Sequence, residues 1–236
     1  MPSGGGSKGR RGLDVHRTLE VPLGIGHSLE LVRSYQILDT ASCRLLIKAA
    51  EKAAEARGGW TTDRHKKAAT TDLPFSLLGG ERQSSFEHWK KNFVQQILGP
   101  ILLRDYEATF TGFNDLFLVK YSAGTDDQRA LHLHRDGTLL SFVLQLNDDF
   151  EGGGTQVPSL GQTLLHGVGD LCIHCGWLRH GGAPVTAGER YVLIGFCDID
   201  APWLDKGVFD RKHPIHTRPE LPTDREMILA ALGKDV

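Results

Sequence analysis

The spacing of hydrophobic and polar residues changes near residue 113. Before that point, residues 41–57 and 85–105 carry apolar side chains at the three- and four-residue intervals of amphipathic helices. Asp39 and Thr40 offer caps for the first of these helices. Residues 29–38 mix apolar and polar positions as an early strand does. The first half of the chain is therefore predicted to be mainly helical.

From residue 114 onward, short β-branched and aromatic runs alternate with glycines, at 116–121, 139–146, 170–174 and 190–197. This pattern is typical of an antiparallel sandwich or barrel. Helices come first and strands follow, without the βαβ alternation of a Rossmann-type sheet. The Pro- and charge-rich stretch after residue 198 could form a short helix at 224–232.

A long loop is predicted at residues 60–80, where a polar, turn-prone stretch precedes Leu73-Pro74-Phe75. Its basic cluster, Arg64-His65-Lys66-Lys67, could meet an acidic substrate. A solvated loop is the preferred interpretation, because most charge clusters of this kind face water.

Composition narrows the class of protein. The chain has 236 residues, 40% of them hydrophobic and 24% charged, which suits one domain with a real core. A formal net charge of −2 gives no argument for a nucleic-acid or membrane partner. No window approaches the apolar run of roughly eighteen residues needed to cross a bilayer, which predicts a soluble protein. The tail at 1–12 lacks the apolar segment of an export signal, and four cysteines form no disulfide pattern, so cytosol or nucleus is expected.

His134 and Asp136 are the first two candidate metal ligands along the chain. Residues two apart in extended backbone point to the same side, so this imidazole and carboxylate can face one ion. The candidate for a third ligand from a distant strand is His180. Two histidines and one carboxylate on one face of a metal form the ligand set of non-haem Fe(II) oxygenases.

Arg190 suggests the cosubstrate. It begins the strand-like run 190–197 and would share a face with Val192, Ile194 and Phe196, so its guanidinium would point among apolar side chains. A buried guanidinium needs an anion. A dicarboxylic cosubstrate supplies one, because its distal carboxylate can pair with the arginine fork while its other end chelates iron.

Three motifs occur in order: His-x-Asp at 134–136, Phe-Glu-Gly-Gly-Gly-Thr at 150–155, and His-Gly-Gly-Ala-Pro-Val-Thr-Ala-Gly-Glu-Arg-Tyr at 180–191. Together they resemble the catalytic domain of the prolyl 4-hydroxylase and lysyl hydroxylase superfamily over roughly residues 116–198. The resemblance implies a double-stranded β-helix, or jelly roll, mainly β with helices packed outside it. It also implies Fe(II) held by His134, Asp136 and His180, 2-oxoglutarate held by Arg190 and Tyr121, and O₂, with ascorbate as a further cofactor to test.

The implied reaction is hydroxylation of a C–H bond, with a prolyl or lysyl side chain of a protein as the leading substrate and a free small molecule second. The chain does not end in an ER-retention tetrapeptide, which argues against a collagen-type role. A catalytically silent jelly-roll binding module is the alternative from another class. The sequence indicates no oligomeric state. Four parts are expected: a basic tail at 1–26, helical support at 27–112, the dioxygenase core at 113–199 and an extension at 200–236.

Other patterns have plainer interpretations. His132 with His134 could begin a cupin-like ligand set, but this leaves Asp136 and Arg190 without roles. Cys172 and Cys175 are three apart, so in a strand their sulfurs face opposite sides. The triple glycine at 152–154 lacks the Lys-Ser/Thr of a phosphate-binding loop and is explained by a tight turn. A halogenase-like site would need a small residue where Asp136 stands.

Overall fold

The computed structural model describes residues 15–20, 31–65, 70–124 and 128–202. The tail at 1–12, the helix expected at 224–232 and nearly all of the extension at 200–236 lie outside these residues. The described helices are α1 (Thr40–Glu55), α2 (Gln83–Phe93) and α3 (Gly99–Tyr106). None of them is long and apolar enough to cross a membrane.

Twelve strands follow one another in the described residues. They are β1 (Val15–Glu20), β2 (Leu31–Gln36), β3 (Asp72–Pro74), β4 (Thr109–Ser122), β5 (Leu131–His134), β6 (Leu140–Gln145), β7 (Phe150–Gly152), β8 (Thr155–Val157), β9 (Gln162–Leu164), β10 (Asp170–Cys175), β11 (His180–Gly182) and β12 (Val185–Asp200).

The strands form two antiparallel sheets. The major sheet has the order β1-β2-β10-β6-β12-β4-β3, with β7 also paired to β12, and the minor sheet has the order β5-β11-β8-β9. Side chains of both sheets line one cavity. This is the predicted jelly roll, and the absence of parallel pairing among the described strands agrees with the sequence pattern.

The predicted helices are confirmed with small shifts at their ends. The Asp39 carboxylate caps α1 by accepting a hydrogen bond from the Ser42 backbone N–H at 2.7 Å. One π-helical turn, Val94–Leu98, joins α2 to α3. Pro100 lies in the first turn of α3, and its missing N–H removes one ordinary helical bond at this junction.

The central strands of the major sheet are buried on both faces. On β6, Leu140, Phe142 and Leu144 belong to the large core beneath the helices, and the Phe142 ring lies 5.7 Å from that of Phe93. The alternate residue Val143 belongs to a smaller cluster on the cavity side. Burial on two faces explains why these segments read as continuous apolar runs.

The plain loop predicted at 60–80 is wrong in part. Strand β3 pairs with β4, and Thr61 forms a β-bridge with Asp72. Two short 3₁₀ turns follow, at Phe75–Leu77 and Gly80–Arg82. The segment is ordered because Leu73, Phe75 and Leu78 are buried in the core, and a proline is tolerated in β3 because this strand is the edge of the sheet.

Candidate metal and cosubstrate site

Two neighbouring strands of the minor sheet bring the predicted ligands together. Strands β5 and β11 are antiparallel, with His134 directly opposite His180. Asp136 follows β5, and its backbone N–H donates to the carbonyl of Gly176 at 2.7 Å. As a result, one donor atom from each of the three side chains lies within 4.8 Å of the other two.

Both imidazoles present the same nitrogen to the carboxylate. The distances from Nε2 to Asp136 are 3.3 Å for His134 and 3.6 Å for His180. On the opposite side of each ring, Nδ1 lies 2.8 Å from a backbone carbonyl, that of His132 or Leu178. A carbonyl only accepts, so Nδ1 carries the proton and Nε2 keeps its lone pair for a metal.

The electrostatics also suit a cation. Burial alone raises the pKa of Asp136, but the neighbouring histidines outweigh it and hold this pKa well below its usual range. Burial lowers the pKa of His180 to about 4. The site therefore holds one carboxylate and a neutral His180 near neutral pH, which is the protonation state that metal binding requires.

Arg190 lies in the same cavity and is 2% exposed. Its Nε donates to Gln145 Oε1 at 3.0 Å and its Nη1 to the Gly154 carbonyl at 3.2 Å. Nη2 is buried and has no hydrogen-bond partner among the described residues. Tyr121 lies beneath the guanidinium, with 5.5 Å from its ring centre to the arginine Cζ. Within the described part of the chain, no carboxylate pairs with Arg190. Its buried charge therefore has no counter-charge there, and Nη2 can donate to a bound anion.

The residues therefore fit both groups that the sequence implied. Two imidazole nitrogens and one carboxylate match the donor set of non-haem Fe(II) sites. The orphaned Nη2 of Arg190 matches one oxygen of a carboxylate. Tyr121, the other residue implied for the cosubstrate, is buried and lines the same cavity.

The triple glycine forms a tight turn, as predicted, and it also shapes the arginine site. All three glycines have positive φ, between +68° and +101°. A Cβ on Gly153 would lie 2.8 Å from the ring of Phe150 and 3.1 Å from Arg190 Cδ. The turn lets the backbone approach the guanidinium closely, a role that the sequence analysis did not assign to it.

The cavity has a volume of about 440 Å³. The iron triad and Arg190 line it together with apolar side chains, including Phe117, Val119, Val192 and Ile194. This volume is in the range of small-molecule sites and leaves room for a substrate group beside a five-carbon cosubstrate.

Arg64 and His65 also line the cavity, which corrects the prediction that this part of the basic cluster is a solvated loop. Arg64 donates to Asp72 at 2.8 Å and to Asp115 at 2.7 Å, and its guanidinium lies over the Phe117 ring. The Asp72 carboxylate is fully buried. This contact could not be predicted from local sequence spacing, because Asp115 is distant along the chain. Lys66 and Lys67 lie outside the described residues.

The other histidines and cysteines singled out in the sequence do not belong to the triad. The His132 side chain is exposed. Cys172 and Cys175 are buried thiols and belong to no metal-ligand group of the described residues. His174, by contrast, lines the cavity, and its ring centre lies 4.4 Å from that of His180.

Comparison with known proteins agrees with the site. No protein-family model matches the chain. Procollagen-lysine,2-oxoglutarate 5-dioxygenase 1 of Gallus gallus is 28% identical over 183 residues, covering 70% of this chain and 23% of the relative. Procollagen-lysine,2-oxoglutarate 5-dioxygenase 2 of Homo sapiens is 28% identical over 178 residues, with 70% and 23% covered. The chain thus spans about a quarter of the length of these relatives.

One solved structure with the same fold is the non-haem α-ketoglutarate-dependent epimerase SnoN from nogalamycin biosynthesis. It superposes with a TM-score of 0.50 at 11% identity, covering 70% of this chain and 76% of SnoN. The relatives and the fold confirm the resemblance to the prolyl and lysyl hydroxylase-like 2-oxoglutarate and Fe(II)-dependent dioxygenases.

Proposed function

We propose that this chain carries the catalytic domain of an Fe(II)- and 2-oxoglutarate-dependent hydroxylase. One observation carries the proposal: the buried Nη2 of Arg190, which has no partner among the described residues, lies at the same cavity as the triad of His134, Asp136 and His180. A divalent metal and a carboxylate-bearing cosubstrate would together satisfy both sites.

Each side chain has a stated role in this proposal. His134, Asp136 and His180 hold the iron, and the carbonyls behind the two imidazoles fix their orientation. Arg190 binds the distal carboxylate of 2-oxoglutarate, and the Tyr121 ring supports it. Apolar walls exclude water from the cavity.

When bound, Fe(II) and 2-oxoglutarate supply oxidising chemistry in which a C–H bond and O₂ become a C–OH group, with succinate and CO₂ as the other products. The protein fixes the ligands and aims one substrate bond at the metal position. Ascorbate as a reductant stays a prediction.

A lysyl or prolyl side chain of a protein is the leading substrate. Two relatives that cover much of the chain carry procollagen-lysine dioxygenase names, which supports a side chain of this class. The cavity that holds the triad is also lined by Phe117, Phe196 and Val119, which suits the aliphatic part of such a side chain. A free small molecule is the second candidate substrate.

The proposal is tested by incubating the protein with Fe(II), 2-oxoglutarate, ¹⁸O₂ and a panel of lysyl and prolyl peptides. We expect succinate to form and one ¹⁸O atom to enter a peptide. Asp136→Ala is expected to abolish both signals, whereas Asp148→Ala, at an exposed position away from the cavity, is expected to keep them. Cosubstrate binding without succinate from any substrate would favour the silent binding module.

A further inference from the structure

Two further polar side chains line the cavity at the end remote from Arg190. Ser141 on β6 and His174 on β10 are directly opposite each other in the antiparallel pair, and both line the cavity. They are 1% and 3% exposed. Ser141 Oγ and His174 Nε2 are both buried without a hydrogen-bond partner among the residues that the structure describes.

The hydrogen-bonding character of His174 follows from its other nitrogen. Nδ1 lies 3.0 Å from the carbonyl of Cys175, so this nitrogen carries the ring proton. In the neutral ring, Nε2 can then only accept. Ser141 adds a hydroxyl that can accept or donate. Leaving two buried polar atoms without hydrogen bonds costs free energy, and a ligand that bonds to both would remove this cost.

The position of the pair distinguishes it from the arginine site. Gln145, which bonds Arg190, lies four residues after Ser141 on the same face of β6, about 13 Å away at the usual strand rise. The pair instead adjoins the triad, because the His174 ring packs against His180. A group bound there would sit beside the metal position and away from the distal carboxylate of the cosubstrate.

We propose that Ser141 and His174 form a donor-recognition subsite, which accepts an N–H or O–H group that the substrate carries next to the bond being oxidised. The inference rests on the proposed function and refines its substrate class. A side-chain amine brings such donors. A prolyl ring within a peptide brings none, because its nitrogen is a tertiary amide.

A peptide pair tests this subsite directly. One peptide contains lysine and the other has norleucine at the same position, so the two side chains differ only in the terminal amino group. Affinities are measured anaerobically in the Fe(II) and 2-oxoglutarate complex, where no turnover takes place. We expect wild-type protein to prefer the lysyl peptide by about tenfold or more, as for a hydrogen bond to a buried acceptor.

Variants assign that preference to the two side chains. Ser141→Ala and His174→Phe are expected to reduce it to about threefold or less, and His174→Gln to retain part of it, because glutamine restores an acceptor. Cys172→Ala is the control, a buried change on the same strand that does not line the cavity. The visible absorption band of the iron and 2-oxoglutarate complex should be unchanged in all four variants.

Several results would overturn the inference. Equal binding of the two peptides by wild-type protein, or binding of neither while the band is intact, would do so. So would a preference that survives both Ser141→Ala and His174→Phe. The variants could instead change only the rate at which succinate forms without any peptide. In that case the group that bonds to Ser141 and His174 is water and not the substrate. A missing band in wild-type protein would contradict the proposed function and this inference with it.

Discussion

Arg190→Lys is expected to weaken 2-oxoglutarate binding about a hundredfold while the metal still binds. The guanidinium offers a fork in which two bonds go to Gln145 and Gly154, while Nη2 has no partner in the described part of the chain. A lysine ammonium keeps the charge but loses the fixed planar geometry. It cannot donate to both protein acceptors and also to a carboxylate in the same planar geometry.

The magnitude follows from the bonds that are lost. A hydrogen bond to a charged group contributes about 1.5–3 kcal/mol, and about 2.7 kcal/mol corresponds to a hundredfold change in Kd. At a cosubstrate concentration a thousand times the wild-type Kd, binding stabilises wild-type protein by about 4.1 kcal/mol and the variant by about 1.4 kcal/mol. For a domain of this size, these energies correspond to Tm increases of about 8–16 °C and about 3–6 °C.

Thermal unfolding with Mn(II), with and without 2-oxoglutarate, measures both increases. Arg33→Lys is the matched control, because Arg33 lies on β2 and pairs with Asp105, away from the cavity. It should retain the full wild-type increase. An Arg190→Lys protein that gains as much from 2-oxoglutarate as wild type would refute the role given to this arginine.

Three further predictions concern stability and cosubstrate binding. Burial holds the folded-state pKa of His180 at about 4, below its unfolded value, so metal-free protein should lose Tm as the pH falls from about 6.5 to about 4. The same slope in His180→Ala would contradict this. Asp72→Asn should cost about 2–4 kcal/mol in urea unfolding, because it breaks a buried ion pair, whereas exposed Asp148→Asn should cost little. Equal costs for the two would be evidence against a stabilising role of the Arg64–Asp72 ion pair. Gly153→Ala should weaken 2-oxoglutarate binding through the contacts of its Cβ, while Gly161→Ala, with positive φ but open space around it, should lower only stability. Calorimetric titration of both variants separates these effects, and unchanged affinity in Gly153→Ala would contradict the prediction.

The metal triad could be predicted from the sequence because strand alternation alone puts His134 and Asp136 on one side. The same alternation predicted that Arg190 would face the apolar interior, where the structure has it 2% exposed. Local spacing is enough for such statements. His180 was a candidate for the third ligand from the sequence, but its position opposite His134 depends on the pairing of β5 with β11, which are far apart in the chain.

Contacts that depend on strand register could not be predicted. Ser141 and His174 face each other only because β6 and β10 pair in one particular register. Likewise, Arg64 reaches the cavity because Asp72 and Asp115 hold it there from two different strands. The four-part division of the chain and its location in cytosol or nucleus stay predictions.

Anaerobic titration of the Fe(II)-loaded protein with 2-oxoglutarate measures metal and cosubstrate binding together, with the weak visible charge-transfer band of the complex as readout. We expect a saturable band in wild-type protein and none in His180→Ala, which loses one of the three metal-binding side chains. Folded, iron-loaded wild-type protein that develops no band would contradict the proposed function.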